Sequence, residues 1–272
     1  MQAIKLFWIG PILRFRIRAP YYAVVVLTLL IIGCSRPDDS WTRIQETGVL
    51  RVGVDPTFPP FALADDAGLR GIDVGLAHAL AKDLGVEAQF SYFGYDGLYD
   101  ALTTGQVDVL ISALVVMPER TKDIAYSSPY FDAGLILVIQ PADDEIANMG
   151  DLNGKSLAVE LGALGHVIAL DWQRKMGGLV IQPHDDVAEA LLAVSTGDAQ
   201  AALVDSVSGR LYLRDQVTDA SPLKIVEEPV TSEPYAIAVR IDDRILLSEI
   251  NESLSHLIGN GSLQGIIDRH LD

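Results

Sequence analysis

The chain has 272 residues, of which 49% are hydrophobic and 21% are charged, and its formal net charge is −17. This composition is typical of a folded globular protein with one large or two medium domains, and it excludes a disordered or collagen-like chain. The acidic balance argues against a nucleic-acid partner, which needs basic residues to neutralise its phosphates. The single cysteine, Cys34, excludes an intramolecular disulfide and a cysteine-rich zinc site.

The first 33 residues are typical of a targeting segment. They contain four basic residues and no acid, and residues 21–32 form an apolar run. That run is short for a membrane-spanning helix, which needs about 20 residues, and it fits the core of a secretory signal, which needs about 7–15. An uncleaved amphipathic anchor is the alternative interpretation.

The residues around Cys34 resemble a bacterial lipoprotein cleavage box, because an apolar pair and the small residue Gly33 directly precede the cysteine. In such signals the cysteine is diacylated and becomes the new N-terminus, and two chains anchor a protein stably. We therefore expect a signal peptide over residues 1–33, lipidation at Cys34 and a polar tether over residues 34–47. The alternative is a chance cysteine after an apolar run.

The first part of the mature chain alternates strands and helices. Residues 49–54 alternate and are β-branched, which predicts a strand. A helix with Asp73 as its N-cap follows, then a strand over 86–92, a short helix capped by Asp96, and a buried strand over 107–111. This order indicates parallel pairing, with helices on the faces of the sheet.

A second α/β series begins after a strand over residues 135–139. A turn over 151–159 leads into its first strand, a capped helix covers 185–194, and another strand covers 201–204. The chain then ends in one more strand, over 236–240, and two helices; the predicted helix ranges are 244–259 and 262–271.

The two series predict two lobes of similar construction. Lobe one takes residues 48–139 and 234–272, and lobe two takes 140–233. Two crossings, near 139–142 and 229–234, join the lobes. Paired crossings of this kind permit hinge closure around a ligand that lies between the lobes.

Blocks spread over nearly the whole mature chain, in a fixed order, identify a family. They are LRVGVDPTFPPF, GIDVGLAHALAKDLG, YDGLYDALTTGQVDVLISAL, MPERTKDIAYSSPYF, DLNGKSLAV, AALVDS and SEPYAIAV. The chain resembles a type 3 extracellular solute-binding protein, the polar amino-acid-binding component of an ABC importer. The resemblance implies a two-lobed, periplasmic-binding-protein-like (type II) α/β fold, in which each lobe is a mostly parallel sheet flanked by helices.

The resemblance also implies which residues meet the ligand. Asp55 ends the first strand and faces the cleft, and Phe58 and Tyr95 pack on the ligand from opposite sides. Arg120 matches the arginine that grips the α-carboxylate, and Asp205 matches the second-lobe carboxylate that takes the α-ammonium. The chemistry is consistent, because a guanidinium fork fits a carboxylate and a desolvated ammonium needs an anion.

Each of these charged residues also has a purely structural interpretation. Arg120 could pair with Glu119 or Asp123 at a helix start, Asp205 could cap the next helix, and Asp55 could form an Asx-turn before a proline.

The chain departs from the family where hydroxyl side chains are common. Val115 and Met117 stand where many relatives carry Thr or Ser, and the second-lobe loop reads Gly162-Ala163-Leu164-Gly165. Main-chain N–H groups at that helix start can still bind an anion. We expect Ala113, Val115, Gly162 and Leu164 to line the ligand site, which either uses main-chain donors or takes a ligand other than a standard α-amino acid. Glu160 is an extra acid near this loop; it could favour a cationic ligand or point to solvent.

The leading functional prediction is a lipid-anchored binding protein on the extracytoplasmic face of the membrane. We expect it to capture a small solute, an amino acid, and to deliver it to the membrane subunits of an ABC permease. We expect a monomer with no cofactor and no catalytic residue. The five histidines show no metal-ligand spacing, so we expect no metal. The alternatives are a cyclohexadienyl-dehydratase-like enzyme on the same scaffold, with Glu160 or Asp205 as its acid or base, and a ligand-sensing module for a separate membrane partner.

Overall fold

A computed structural model describes residues 39–215 and 223–271 of the chain. The predicted signal peptide, Cys34 and residues 34–38 of the predicted tether lie outside these residues. The described strands build an α/β architecture around two larger sheets. Within this part of the chain, no helix combines the length and apolar character needed to cross a membrane.

The first sheet is parallel on one side and antiparallel on the other. Its strands are, in spatial order, Glu87–Tyr92, Val49–Val54, Val109–Leu110, Ala238–Arg240 and Ile124–Tyr126. The first three run parallel, as predicted, and Ala238–Arg240 is antiparallel to both of its neighbours. Two predicted strands, 107–111 and 236–240, are shorter than expected because their ends leave the ladder.

The second sheet repeats this plan. Its strands are, in spatial order, Val180–His184, Ser156–Glu160, Ala201–Asp205, Leu135–Ile139 and Lys224–Ile225. Leu135–Ile139 pairs antiparallel with Ala201–Asp205, so it belongs to this sheet and not to lobe one, where the sequence analysis placed it. All five of its residues are buried, so its sequence carries no alternation that distinguishes one sheet from the other.

The two segments that cross between the sheets pair with each other. Phe131–Asp132 and Pro234–Tyr235 form a short antiparallel ladder. The first crossing therefore lies just before Leu135, several residues earlier than predicted. A separate small sheet joins Thr57–Phe58, Ala62–Asp65 and Gly68–Arg70 next to the end of the first strand.

Helices cover both faces of each sheet. In the first lobe, which we define as the first sheet with its helices, they are Asp39–Thr47, Ile72–Asp83, Tyr95–Thr103, Arg244–Gly259 and Ser262–Leu271. In the second lobe they are Leu164–Met176, Val187–Thr196 and Ser206–Asp215, with a 3-10 turn at Met149–Leu152. The last two helices of the chain have the bounds that the sequence predicts.

The residues just after 38 correct the predicted tether. Asp39–Thr47 is a helix, and its Ile44 is fully buried in the first-lobe core. Arg43 of this helix and Arg51 of the first strand both bind the carboxylate of Asp108, and Arg51 Nη2 lies 2.7 Å from Asp108 Oδ1. Residues 39–47 are therefore part of the first lobe and not a free linker.

Two predicted helix caps are also wrong. The N-cap residue is Gly71 in the helix with Asp73 and Gly94 in the helix with Asp96, and neither helix has a side-chain cap. Gly71 has φ +136°, and a Cβ there would lie 2.1 Å from the Phe61 carbonyl oxygen, so glycine is required. Asp73 is thus placed inside the first turn, where it is buried.

Candidate functional site

A cavity of about 340 Å³ lies in the first lobe, at the end of the strand Val49–Val54. We call it the first-lobe cavity. It brings together Asp55, Phe58, Tyr95, Ala113 and Val115, which the sequence analysis predicted, and adds Thr57, Ser112 and Tyr235. The cavity forms there because the carboxyl ends of neighbouring parallel strands open at the same edge of a sheet.

Asp55 is held by its own turn. Its Oδ1 accepts hydrogen bonds from the Thr57 N–H at 3.0 Å and the Thr57 hydroxyl at 2.7 Å, which is the Asx-turn that the sequence analysis left open. The Asp55 N–H donates to the Ser112 hydroxyl at 2.9 Å. Within the described residues Oδ2 makes no hydrogen bond, so one oxygen fixes the carboxylate and the other remains available.

Two aromatic rings wall the cavity and stay exposed. Phe58 is 49% exposed and Tyr95 is 42% exposed, although each ring also contacts a buried aromatic neighbour. Tyr235 closes the cavity from the crossing segment, where burial raises the pKa of its hydroxyl to about 12 and keeps it protonated. Exposed rings beside a carboxylate suit a ligand that has both an apolar surface and a positive charge.

A second cavity, of about 150 Å³, lies in the second lobe. We call it the second-lobe cavity. It contains Leu164 and Asp205, as predicted, and Glu160, whose direction the sequence left open; Glu233 of the crossing segment is a further acid in its lining. Asp205 Oδ1 accepts from the Ser208 N–H at 2.8 Å and so caps the next helix. The capping role and the cavity position of Asp205 therefore occur together.

Gly162 lies beside the second-lobe cavity rather than in its lining. Its φ is +83°, in the left-handed region, and its N–H donates to His166 Nδ1 at 3.2 Å. The following helix, Leu164–Met176, begins after Ala163 without a side-chain cap. Gly162 thus shapes the loop that leads to this helix start.

Arg120 points to neither of these cavities. It lies in the short turn Pro118–Arg120, and its guanidinium carbon is 4.0 Å from the centre of the Tyr99 ring. It lines a third, wide cavity of about 950 Å³ on the first lobe, the outer cavity, which shares Tyr95 with the first-lobe cavity. Arg120 and Asp205 are therefore not brought to one cavity in this structure, and their joint role stays a prediction.

The charges in the two smaller cavities are of one sign. Asp55 lines the first-lobe cavity, and Glu160, Asp205 and Glu233 line the second-lobe cavity; the described lining of both contains no lysine, arginine or histidine. The described residues also contain no group of three or more His, Cys, Asp or Glu that could hold a metal ion. The arrangement favours a positively charged group of a small organic ligand.

Comparison with known proteins identifies the family. The sequence profile of the bacterial extracellular solute-binding proteins, family 3, matches residues 50–272. The chain belongs to this family. It is similar to an L-cystine-binding protein of Escherichia coli (strain K12), with 29% identity over 230 residues that cover 84% of each chain.

Solved structures of this family-3 protein's relatives share its fold. One is the unliganded, open L-cystine solute receptor of Neisseria gonorrhoeae, which is 25% identical with a TM-score of 0.75 over 86% of this chain and 97% of that one. Another is an ancestral cationic amino-acid solute-binding protein, which is 32% identical with a TM-score of 0.60 over 85% and 99% of the two chains. The predicted family, the periplasmic-binding-protein-like α/β fold and the extracytoplasmic solute-binding role are confirmed.

Sequence reasoning missed Ser112, which lines the first-lobe cavity, and Tyr130 and Asp73, which lie behind its lining. Ser112 holds Asp55, and Tyr130 holds the backbone of Ala113 through its hydroxyl oxygen, which accepts from the Ala113 N–H at 3.1 Å. Tyr130 in turn donates to Asp73. Ser112, Tyr130 and Asp73 all stand in the blocks that carry the family resemblance, so the signal was present, but only the structure shows that they touch the cavity lining.

Proposed function

We propose that this family-3 protein captures a free amino acid between its lobes and delivers it to the membrane subunits of an ABC permease. The observation that carries the proposal is the division of the predicted ligand residues between two cavities, one in each lobe. Five of them line the first-lobe cavity, and Leu164 and Asp205 line the second-lobe cavity. A ligand that touches both sets stabilises the closed arrangement of the lobes.

The charges support an amino acid with its ammonium on the second lobe. Asp205 is fixed by the Ser208 N–H and lies among further acids, which complements a positive group. Relatives named as cystine-binding and cationic amino-acid-binding proteins bind ligands that carry ammonium groups, which agrees with this assignment. The acidic lining favours a ligand with more than one positive group.

Arg120 must turn away from Tyr99 to grip the α-carboxylate. Its exposed stacking on Tyr99 is worth about 0.5–1 kcal/mol, as for other exposed cation–π pairs. A hydrogen bond between charged partners is worth about 1.5–3 kcal/mol, and Arg120 can form two with one carboxylate. Replacing the contact with Tyr99 by hydrogen bonds to the carboxylate is therefore favourable. Tyr95 lines both the outer cavity and the first-lobe cavity, so the Arg120 side chain would pass this ring as it moves from one to the other.

The experiment is a thermal-unfolding and calorimetric titration of the purified protein with L-arginine, L-cystine and the remaining free amino acids. A ligand present at 100 times its dissociation constant adds about 2.7 kcal/mol to the stability of the folded state. Asp205→Asn should weaken binding at least tenfold, and Asp185→Asn, an exposed aspartate of the same lobe, should not. Equal affinity in both variants, or no response to any amino acid, would refute the proposal.

The same proposal includes the site of action. We place the protein at the extracytoplasmic face of the cell membrane, as a monomer held by acyl chains on Cys34, which lies outside the described residues. We assign it a transport role rather than a dehydratase activity. Dehydratase assays on the purified protein test that choice. Turnover by the wild type that is lost in Glu160→Gln would indicate that the protein is an enzyme.

A further inference from the structure

A buried carboxylate reaches the first-lobe cavity through two hydrogen bonds. Asp73, in the helix Ile72–Asp83, is only 1% exposed, and its Oδ1 accepts from the Tyr130 hydroxyl at 2.6 Å. The Tyr130 oxygen accepts from the Ala113 N–H at 3.1 Å. Tyr130 is itself buried, and neither Asp73 nor Tyr130 lines the cavity, whereas Ala113 does.

Ala113 needs to be held. Its φ is +47°, in the left-handed region, and among the described residues it is the one non-glycine residue with a positive φ. Such a conformation is unfavourable for a residue with a Cβ, and it persists where the surroundings impose it. The neighbours of Ala113 are also tied down, because the Ser112 hydroxyl accepts from the Asp55 N–H and the Leu114 carbonyl accepts from the Ala236 N–H. The backbone at Ala113 thus sets where Ser112 and Asp55 lie.

The Asp73 carboxyl is buried without an ion pair among the described residues. Its Oδ2 makes no hydrogen bond, and no cation contacts it within the described residues. The titratable groups that face it are Tyr130, which directly precedes the first crossing segment, and, at longer range, Tyr235 of the second. A buried carboxyl without a cationic partner costs stability when it is charged, so its position points to the two groups that it meets, the Tyr130 hydroxyl and the Ala113 amide.

We propose that Asp73 and Tyr130 are positioning residues of the ligand site, which act on the ligand only through the Ala113 backbone. The Tyr130 hydroxyl donates to Asp73 Oδ1 and accepts from the Ala113 N–H through a lone pair of its oxygen. This bond keeps the strained backbone in the conformation that presents Ser112 and Asp55 to the first-lobe cavity. The proposal rests on the proposed function, because it concerns the same cavity.

The test compares variants that keep or remove each hydrogen bond. Tyr130→Phe removes the hydroxyl, Asp73→Leu removes the acceptor at similar size, and Asp73→Asn keeps an acceptor oxygen. With L-arginine or L-cystine as the probe, we expect Tyr130→Phe and Asp73→Leu to bind at least tenfold more weakly than the wild type. Asp73→Asn should bind within about threefold of the wild type. The double variant Tyr130→Phe/Asp73→Leu should bind no more weakly than the weaker of its two single variants.

The control is Tyr126→Phe, which removes another buried hydroxyl from the first lobe but leaves the Ala113 backbone untouched. It should bind as the wild type does, which separates positioning from general loss of packing. Circular dichroism confirms that each variant is folded, and if Asp73→Leu does not fold, Tyr130→Phe and Asp73→Asn carry the comparison. Wild-type affinity in Tyr130→Phe would overturn the proposal.

A readout without ligand keeps this proposal separate from the proposed function. The Ala113 amide should exchange its hydrogen faster in Tyr130→Phe than in the wild type, and at the wild-type rate in Tyr126→Phe. If neither probe binds the wild type, the proposed function fails while the exchange measurement still decides the positioning role. Unchanged exchange at Ala113 in Tyr130→Phe would overturn it.

Discussion

Asp73 should make the protein less stable as the pH rises towards neutrality. Burial raises the pKa of its carboxyl from 3.8 to about 7, while the Tyr130 hydroxyl and the Ala113 amide lower it by less. Between these two pKa values the folded protein holds a proton that the unfolded chain releases. The contribution of Asp73 to the free energy of unfolding is therefore largest below pH 3.8, decreases as the pH rises, and is lost above about pH 7.

The size of the effect follows from the shift. One pKa unit corresponds to about 1.36 kcal/mol, so the full shift is worth about 4 kcal/mol, of which about 3 kcal/mol falls between pH 5 and pH 8. Asp73→Asn has no proton to release. The free energy of unfolding of this variant should therefore rise relative to the wild type by about 3 kcal/mol over that range.

The assay is urea denaturation at half-unit steps from pH 5 to pH 8, followed by circular dichroism for the wild type, Asp73→Asn and Asp66→Asn. Asp66 lies on an exposed turn and serves as the matched control, so its variant should keep the wild-type pH slope. The difference in slope is the measured quantity, because a constant offset from the amide group does not change it. Parallel profiles for the wild type and Asp73→Asn would refute the reasoning.

Two further predictions concern the N-terminal part of the chain. Asp108→Ala should lower the free energy of unfolding by about 3 kcal/mol, because it leaves Arg43, Arg51 and the Arg51 N–H without their fully buried partner. In the same denaturation assay Asp65→Ala, which breaks an exposed pair with Arg70, should have almost no effect. Equal losses in the two variants would contradict this role of Asp108. Cys34→Ser should move the protein from the membrane fraction to the soluble fraction, because acyl chains supply the proposed anchoring; tight membrane association of the variant would contradict lipidation.

The sequence predicts the helices and strands well where the hydrophobic periodicity agrees with the residues that end an element. The two C-terminal helices, Arg244–Gly259 and Ser262–Leu271, have the predicted bounds because each is amphipathic and ends beside a turn. The strand Leu135–Ile139 was found but was assigned to the wrong lobe, since pairing partners are decided by tertiary contacts that a continuous apolar run does not specify. The helix Asp39–Thr47 was missed because its polar contacts with the lobe are made to residues distant in sequence: Arg43 pairs with Asp108, and Ser40 hydrogen-bonds to Asp243 and Arg240.

The same limit applies to the site. Asp55, Phe58, Tyr95 and Ala113 were predicted from family blocks and Val115 from a departure from the family, and all five line one cavity. The direction of a long exposed side chain such as Arg120 is not contained in those blocks, because its rotamer depends on which neighbour it meets. In the structure that neighbour is Tyr99, whose position in the preceding helix gives no sequence signal of the contact.

The local and the ligand-binding interpretations of Asp55 and Asp205 are not alternatives. A carboxylate has two oxygens, and in each residue Oδ1 accepts from a backbone N–H two or three positions later in the chain. That bond fixes the side chain before a ligand arrives and saves the ordering entropy, about 0.5–1.5 kcal/mol for each immobilised side chain, that binding would otherwise cost. An Asx-turn or a helix cap at the carboxyl end of a strand therefore orients the second oxygen of the carboxylate. An aspartate that forms such a turn or cap becomes a stronger candidate for the proposed ligand site.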